Sequence, residues 1–237
     1  MQSASEWIRD CAMTASSPIQ NSDRLPPRDP RGGRPTQEIA AKLGTHILET
    51  ALEQFVRHGP DGASMESIAT AADVSKRTLY ARFGSKNGLL VAALEHGTAR
   101  HLKPIASTTP AGAPCEQLLH LASEMLDLSL TKEVIGILAL VDWVADHGLA
   151  ADGPRPLIGM AAGTEVILPI LEDAAAEHGD LREDLHFLAA FIFDALVSIP
   201  RARILDRREM PDTPEAKSDY LERTIALVIR ASPFLGD

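Results

Sequence analysis

A cluster of positive charge lies in residues 74–86, VSKRTLYARFGSK. It contains four cationic side chains and no acidic one, although the 237-residue chain has a formal charge of −10. The cations are Lys76, Arg77, Arg82 and Lys86. Guanidinium and ammonium groups bind phosphates and donate to acceptor atoms on base edges. The local excess of such groups therefore predicts an anionic partner for this segment.

The spacing of the segment favours a helix with its cations on one face. If Ser75 is the N-cap and each residue turns by about 100°, Leu79 and Phe83 lie together on the inward side. The outward side then carries Arg77, Thr78, Ala81 and Arg82, with Lys76 and Tyr80 beside it. Because a major groove admits one α-helix, this face predicts a helix that reads DNA.

The neighbouring residues predict the elements that position this helix. Ser64 caps a short helix before it, residues 72–75 form a tight turn, and Ser85 caps a helix after it. Asp73 lies in the turn and tolerates a left-handed backbone better than most residues. Two short helices joined by such a turn make a helix-turn-helix.

The remaining pattern is also helical. A first helix begins after an N-cap at Thr36 and stops in RHGPDG, residues 57–62, and Pro104 ends the fourth helix. The later helices are predicted at 116–130, 131–148, 156–179, 183–206 and 213–232, the last with Thr213 as N-cap and Pro214 in its first turn. No strand signal occurs, so the predicted fold class is all-α.

Charge and composition divide the chain into three predicted parts. Residues 1–27 have a net charge of −1, residues 28–103 of +3 and residues 104–237 of −12. We predict a disordered extension at 1–30, because it is rich in Pro, Ser and Gly. Residues 31–103 form the predicted DNA-binding domain, and residues 104–237 form a second helical domain.

Several classes of function are not expected. The sequence has no apolar run of about 18 residues that would predict a membrane span. Its N-terminal residues lack the basic stretch and apolar core of a secretory signal, so a cytoplasmic protein is expected. Cys11 and Cys115 fit neither a metal site nor a disulfide framework. Asp142, Asp146 and His147 lie near one another on a helix but lack further spaced ligands, so no metal and no cofactor is predicted. No catalytic motif is found, so an enzyme is not expected.

Residues 34–96 closely resemble the N-terminal DNA-binding domain of TetR/AcrR transcriptional regulators. The resemblance is carried by SMESIATAADVSKRTLYARFGSKNGLL, residues 64–90. It implies a three-helix helix-turn-helix domain followed by a helical ligand-binding and dimerisation domain. It also implies a homodimeric repressor that binds a palindromic operator in double-stranded DNA and is released by a small apolar inducer.

The resemblance and the charge pattern together give the candidate DNA-binding residues. They are Arg31, Arg34, Ser64, Ser75, Lys76, Arg77, Thr78, Tyr80, Arg82 and Lys86. Residues 75–78 match positions near the groove, whereas Tyr80, Arg82 and Lys86 match phosphate-contacting positions. The arm RGGRP, residues 31–35, is either a minor-groove contact or a plain linker.

For the second domain, the resemblance implies a cavity among the helices of residues 113–206. The candidate lining residues are Met125, Trp143, His147, Met160, His186, Phe187 and Phe191. Ordinary packing in the core is the alternative interpretation of each. The candidate dimer residues lie on the last two predicted helices and are Phe193, Leu196, Leu221, Ile225 and Val228.

Two other functions remain open from the sequence. The first is a helical ligand-binding or interaction module that does not read DNA. The second is a DNA-binding activator rather than a repressor.

Overall fold

The computed structural model describes residues 37–149, 158–178 and 184–236, and these residues form an all-α fold without a strand. The predicted fold class is confirmed. The helices are α1 (Gln37–Gly62), α2 (Met65–Ala71), α3 (Lys76–Phe83), α4 (Lys86–Thr108), α5 (Pro114–Ser129), α6 (Lys132–Asp146), α7 (Met160–His178), α8 (Leu185–Phe193), α9 (Ile199–Leu205) and α10 (Pro214–Ala231). The predicted extension at 1–30 and the predicted N-cap at Thr36 lie outside the described residues.

Local capping residues determine where the N-terminal helices begin. Ser64 accepts a hydrogen bond from the backbone N–H of Ser67 and forms a reciprocal capping box with it. Ser75 caps α3 and Ser85 caps α4 by the same use of a side-chain oxygen. These three predicted caps are confirmed, as is Thr213 before α10.

The two prolines near predicted helix ends behave differently from each other. At the end of α1 the backbone leaves helical geometry at Gly59, where φ is 69°, so the predicted stop appears as a break before Pro60. The prediction that Pro104 ends the fourth helix is wrong, because α4 continues to Thr108. Ile105 follows Pro104 and is buried in the C-terminal core, and this burial offsets the backbone hydrogen bond that proline cannot make.

The buried side chains form two clusters. The N-terminal cluster comes from α1 to α4, and it also includes Ile137, Leu140 and Val144 of α6. The C-terminal cluster is formed by α5, α7, α8 and α10, with Ile105 of α4. Helix α6 therefore packs on the predicted DNA-binding domain, and α4 contributes to both clusters.

Helices α8 and α9 are joined by a π-helical turn at Asp194–Ser198. The turn frees backbone groups from the usual α-helical pairing. The Tyr220 hydroxyl of α10 donates to the carbonyl of Ala195 at 3.0 Å and so satisfies one of them. This contact holds α10 against the π-helical turn between α8 and α9.

Within residues 37–149, 158–178 and 184–236, no helix is long and apolar enough to cross a membrane.

Candidate nucleic-acid interface

The inner face of α3 fixes the orientation of the helix. Leu79 is fully buried in the N-terminal cluster, and Phe83 packs against that cluster while remaining partly exposed. Asp73, in the turn before α3, has φ of 51°, as expected for a residue in the left-handed region. The outward face is therefore left in solvent, with Lys76, Arg77, Tyr80 and Arg82 all exposed.

The serine and threonine candidates have a structural role. The Ser75 hydroxyl lies 2.8 Å from the Thr78 hydroxyl and accepts from the Thr78 backbone N–H at 3.0 Å. Ser64 is held in its capping box with Ser67. These side chains shape the starts of α2 and α3, and Ser64 and Ser75 are exposed while Thr78 is partly buried.

Lys76 is paired with an acidic residue that the sequence analysis did not single out. Its Nζ donates to Oε2 of Glu66 at 3.0 Å, from the first residue of α3 to the first turn of α2. Both side chains remain mostly exposed, at 53% for Lys76 and 76% for Glu66. The two residues are ten positions apart and lie on different helices. The spacing of three or four residues that brings side chains together along one helix therefore could not predict this pair.

Arg82 reaches back to the first helix. Its Nη2 donates to the carbonyl of Ala40 at 3.3 Å. A Cβ added to Gly44 would lie 3.1 Å from Arg82 Nη1, so the absence of a side chain at this position lets the guanidinium lie on α1. Arg82 thus connects the last turn of α3 to the N-terminal part of α1 while staying exposed.

Lys86 points inward rather than toward solvent. Its Nζ donates to the carbonyls of Pro60 at 2.8 Å and Ala63 at 3.4 Å. Both carbonyls follow the break in α1, where a helix leaves its last acceptors unpaired. The geometry makes Lys86 a cap for the end of α1, a role that the sequence analysis did not foresee.

Among the four cations of residues 74–86, Arg77 is the one whose side chain has no partner in the described part of the chain. No hydrogen bond or ion pair holds its guanidinium among residues 37–149, 158–178 and 184–236. Arg31 and Arg34, the two predicted arm residues, lie outside the described residues.

The seven predicted ligand-lining residues lie in different environments in the structure. Met125 is buried in the C-terminal core, whereas His186, Phe187 and Phe191 are exposed on α8. The remaining three are Trp143, His147 and Met160, of which Met160 is exposed at the start of α7. The Trp143 and His147 rings stack at 3.9 Å at the end of α6. Residue type alone did not distinguish a cavity wall from a core or a surface.

An open cleft of about 440 Å³ lies instead between α4 and α7. It is lined by Ala99, Leu102, Ala106, Ala162 and Val166, with Glu95, Lys103 and Glu165 as charged members. None of these residues was predicted, because small and charged side chains on separate helices carry no sequence pattern for a cavity.

The predicted dimer residues pack mainly against their own subunit. Leu196, Leu221, Ile225 and Val228 are buried inside the subunit, in the C-terminal cluster. The fifth residue, Phe193, is partly buried against that cluster and packs on Gly163 of α7. An apolar stripe shows that a helix face is buried, but it does not specify whether the same chain or another one covers it. The large apolar side chains exposed on these helices are Phe187, Phe191, Ile199 and Leu227.

The described residues include no group of three or more His, Cys, Asp and Glu side chains placed to hold a metal ion. His147 instead ends α6, where its Nδ1 lies 2.8 Å from the carbonyl of Trp143. Desolvation raises the pKa of the nearby Asp142 carboxyl, and Arg201 opposes that rise.

Residues 47–93 match the family model described as "Bacterial regulatory proteins, tetR family". This range contains the whole helix-turn-helix, from Ser64 through Lys86. The chain is 31% identical over 159 residues to the HTH-type transcriptional repressor NicS of Pseudomonas putida, an alignment that covers 66% of this chain and 74% of NicS. The chain belongs to the TetR family. It is therefore a DNA-binding transcriptional regulator and not an enzyme.

Further relatives agree with membership in the TetR family. The HTH-type transcriptional regulator UidR of Escherichia coli is 32% identical over 119 residues, which cover 48% of this chain and 55% of UidR. A TetR-family regulator from Mesorhizobium loti has the same fold, with a TM-score of 0.63 at 21% identity, covering 81% of this chain and 97% of the other. The Flavonoid-responsive Regulator FrrA gives a TM-score of 0.61 at 22% identity, with the same coverage.

Proposed function

We propose that this TetR-family regulator is a homodimeric repressor that binds a palindromic operator in the cytoplasm and is released by a small molecule. The observation that carries the proposal is the outward face of α3. This face presents Arg77, Tyr80 and Arg82 to solvent beside Lys76, on a helix whose other side is held by Leu79.

In this proposal residues 31–103 contact DNA and residues 104–237 bind the ligand and form the dimer. The first turn of α3 enters the major groove, where Arg77 and Lys76 reach base edges. Tyr80 and Arg82 contact phosphates, which set the position of the helix on the duplex. Arg31 and Arg34 contact the adjacent minor groove, and Lys86 supports the end of α1.

The proposed dimer uses the exposed apolar side chains of the C-terminal helices. Phe187 is 70% exposed, Phe191 is 52% exposed, and Leu227 of α10 is 61% exposed. Removing such side chains from water is favourable by about 25 cal/mol per Å² of apolar surface. A twofold dimer would also hold two copies of α3 about 34 Å apart, which matches successive major-groove faces of a palindrome.

The proposed ligand site is the cleft between α4 and α7. Its apolar walls, which include Leu102 and Val166, suit an apolar molecule, and Glu95, Lys103 and Glu165 offer polar contacts. Helix α4 begins next to α3 and reaches the cleft. A ligand that prefers one position of α4 would therefore favour one spacing between the two copies of α3 in the dimer. Such a ligand would lower the affinity for the operator.

The test compares the wild-type chain with Arg77→Ala on DNA taken from beside its own gene. We expect Arg77→Ala to weaken binding about tenfold, because it removes an unpaired guanidinium from the proposed interface. Arg57→Ala is the matched control, since Arg57 is exposed on α1 but paired with Glu53. A wild-type chain that binds no DNA selectively would contradict the proposal. Where the wild type does bind, candidate ligands are added to the same mobility-shift assay to find one that releases the DNA.

A further inference from the structure

Two side chains of opposite charge lie next to each other on the face that the proposed function assigns to the major groove. The Lys76 ammonium and the Glu66 carboxylate are 3.0 Å apart, at the starts of α3 and α2. The side chains reach each other across the turn that contains Asp73. A carboxylate on a surface that meets phosphates weakens non-specific binding, because it repels the DNA backbone. Its presence at this position therefore calls for a reason.

Stability of the subunit supplies only a small part of that reason, because Glu66 lies in the first turn of α2, where the helix dipole modestly favours a negative charge. Ion pairs between exposed side chains contribute little to folding, and Glu66 is 76% exposed. The N-terminus of α2 is already capped by Ser64 and Ser67 through a capping box. The position of α3 is set independently by the burial of Leu79. Folding therefore depends little on the pair, and a role in binding at the exposed surface is open to it.

The pair presents one acceptor next to one donor, a pattern with a complement in DNA. In the major groove a G·C base pair shows the cytosine N4 donor beside the guanine O6 acceptor. These two atoms are hydrogen-bonded to each other, so they lie about 2.9 Å apart. This separation matches the 3.0 Å between Glu66 Oε2 and Lys76 Nζ. Lysine has three N–H donors and a carboxylate oxygen has two lone pairs, so the two residues can bind the base pair without breaking their own contact.

We infer that Glu66 and Lys76 act as a unit that reads one G·C base pair in each half-site. Glu66 accepts from cytosine N4, and Lys76 donates to guanine O6 or N7. Glu66 has a second effect, because it holds the Lys76 ammonium away from the phosphates. Glu66 is thus a specificity-determining residue, one that lowers non-specific affinity and raises discrimination between sequences.

This inference rests on the proposed function and is tested on the full chain with Glu66→Met. Duplexes are first selected from a random-sequence pool by the wild-type protein, and each base pair of the selected site is then replaced in turn. Affinities are measured by fluorescence anisotropy at several salt concentrations. We expect the wild type to prefer G·C at one position of each half-site, and Glu66→Met to lose about fivefold of that preference.

The salt dependence gives a second readout, which a purely structural role would not change. Without Glu66 the Lys76 ammonium is free to neutralise a phosphate. The affinity of Glu66→Met for random-sequence DNA should therefore rise, and the slope of log K against log salt should steepen by about one unit. Lys76→Gln should lose the same G·C preference without the gain in non-specific affinity.

The matched control is Glu53→Met, which removes the same charge from another exposed ion pair in the helices that precede α3. It should keep the wild-type preference and slope, and the melting temperatures of both variants identify any loss of folding. If the wild type selects a sequence and Glu66→Met keeps both its G·C preference and its slope, the inference is overturned. If the wild type selects no sequence from the pool, the proposed function itself fails.

Discussion

At the scale of single residues, the four cations of residues 74–86 differ in their bonding partners. Lys86 is bound to the carbonyls of Pro60 and Ala63, Lys76 to Glu66, and Arg82 to the carbonyl of Ala40. Arg77 is the member of this group without such a partner in the described part of the chain. The sequence motif does not distinguish these four cations, whereas in the fold three of them have different partners and Arg77 has none in the described part of the chain.

The role of Lys86 can be tested by Lys86→Met. The substitution removes two hydrogen bonds from a charged donor to carbonyls after the break in α1, so we expect the free energy of unfolding to fall by about 1–2 kcal/mol. For a chain of this length that corresponds to a drop in melting temperature of roughly 2–8 °C, measured by circular dichroism.

Lys42→Met is the control for that experiment, because Lys42 forms an exposed pair with Glu38 on α1 and should change stability by less than about 0.5 kcal/mol. If Lys86→Met melts like the wild type but binds the operator more weakly, Lys86 contacts DNA and does not act as a cap.

At the scale of helices, close approaches fix how α7 and α8 pack. A Cβ built on Gly163 of α7 would lie 2.0 Å from an atom of the Phe193 ring of α8. Only a residue without a side chain lets the ring lie there. This contact explains why Phe193 is directed into its own subunit, although its sequence position had suggested a dimer contact.

Gly163→Ala should therefore overpack this contact. We expect a loss of about 1–3 kcal/mol in the free energy of unfolding, measured by urea denaturation. Gly62→Ala is the comparison, since a Cβ there would meet its nearest neighbour at an ordinary 3.5 Å and should leave stability nearly unchanged. Equal stability of Gly163→Ala and the wild type would mean that the ring moves aside without cost.

At the scale of the whole molecule, α8 and α10 each carry apolar side chains that the subunit does not cover. Phe187, Phe191 and Leu227 are exposed, whereas Leu196 and Ile225 are enclosed by their own chain. Helix α6 packs with the N-terminal cluster and α4 contributes to both clusters, so the two halves of the subunit share packed helices.

Phe191→Glu should disrupt the proposed dimer, because it places a charge where an apolar ring would be buried. We expect sedimentation velocity to give a dimer for the wild type and a monomer for the variant, with weaker operator binding for the variant. Ile39→Glu adds the same charge at an exposed apolar position on α1 and should remain dimeric. A monomeric wild type, or a dimeric Phe191→Glu, would contradict this interface.

The sequence by itself determined the features that depend on neighbouring residues. The caps at Ser64, Ser75, Ser85 and Thr213 each act on a backbone group within three residues, so local patterns were enough to predict them. The helix-turn-helix and the inward side of α3 were predictable for the same reason. The family was also evident from this segment, because its signature is carried by adjacent positions.

Only the tertiary structure decided which surfaces meet. Periodicity predicted that Leu221, Ile225 and Val228 would be buried, but their burial inside the subunit depends on how α10 packs against α5. The helix continues through Pro104 because a distant core covers Ile105. The Glu66–Lys76 pair exists because the turn brings two helix starts together. These outcomes depend on residues far apart in the chain, and no local pattern encodes their distances.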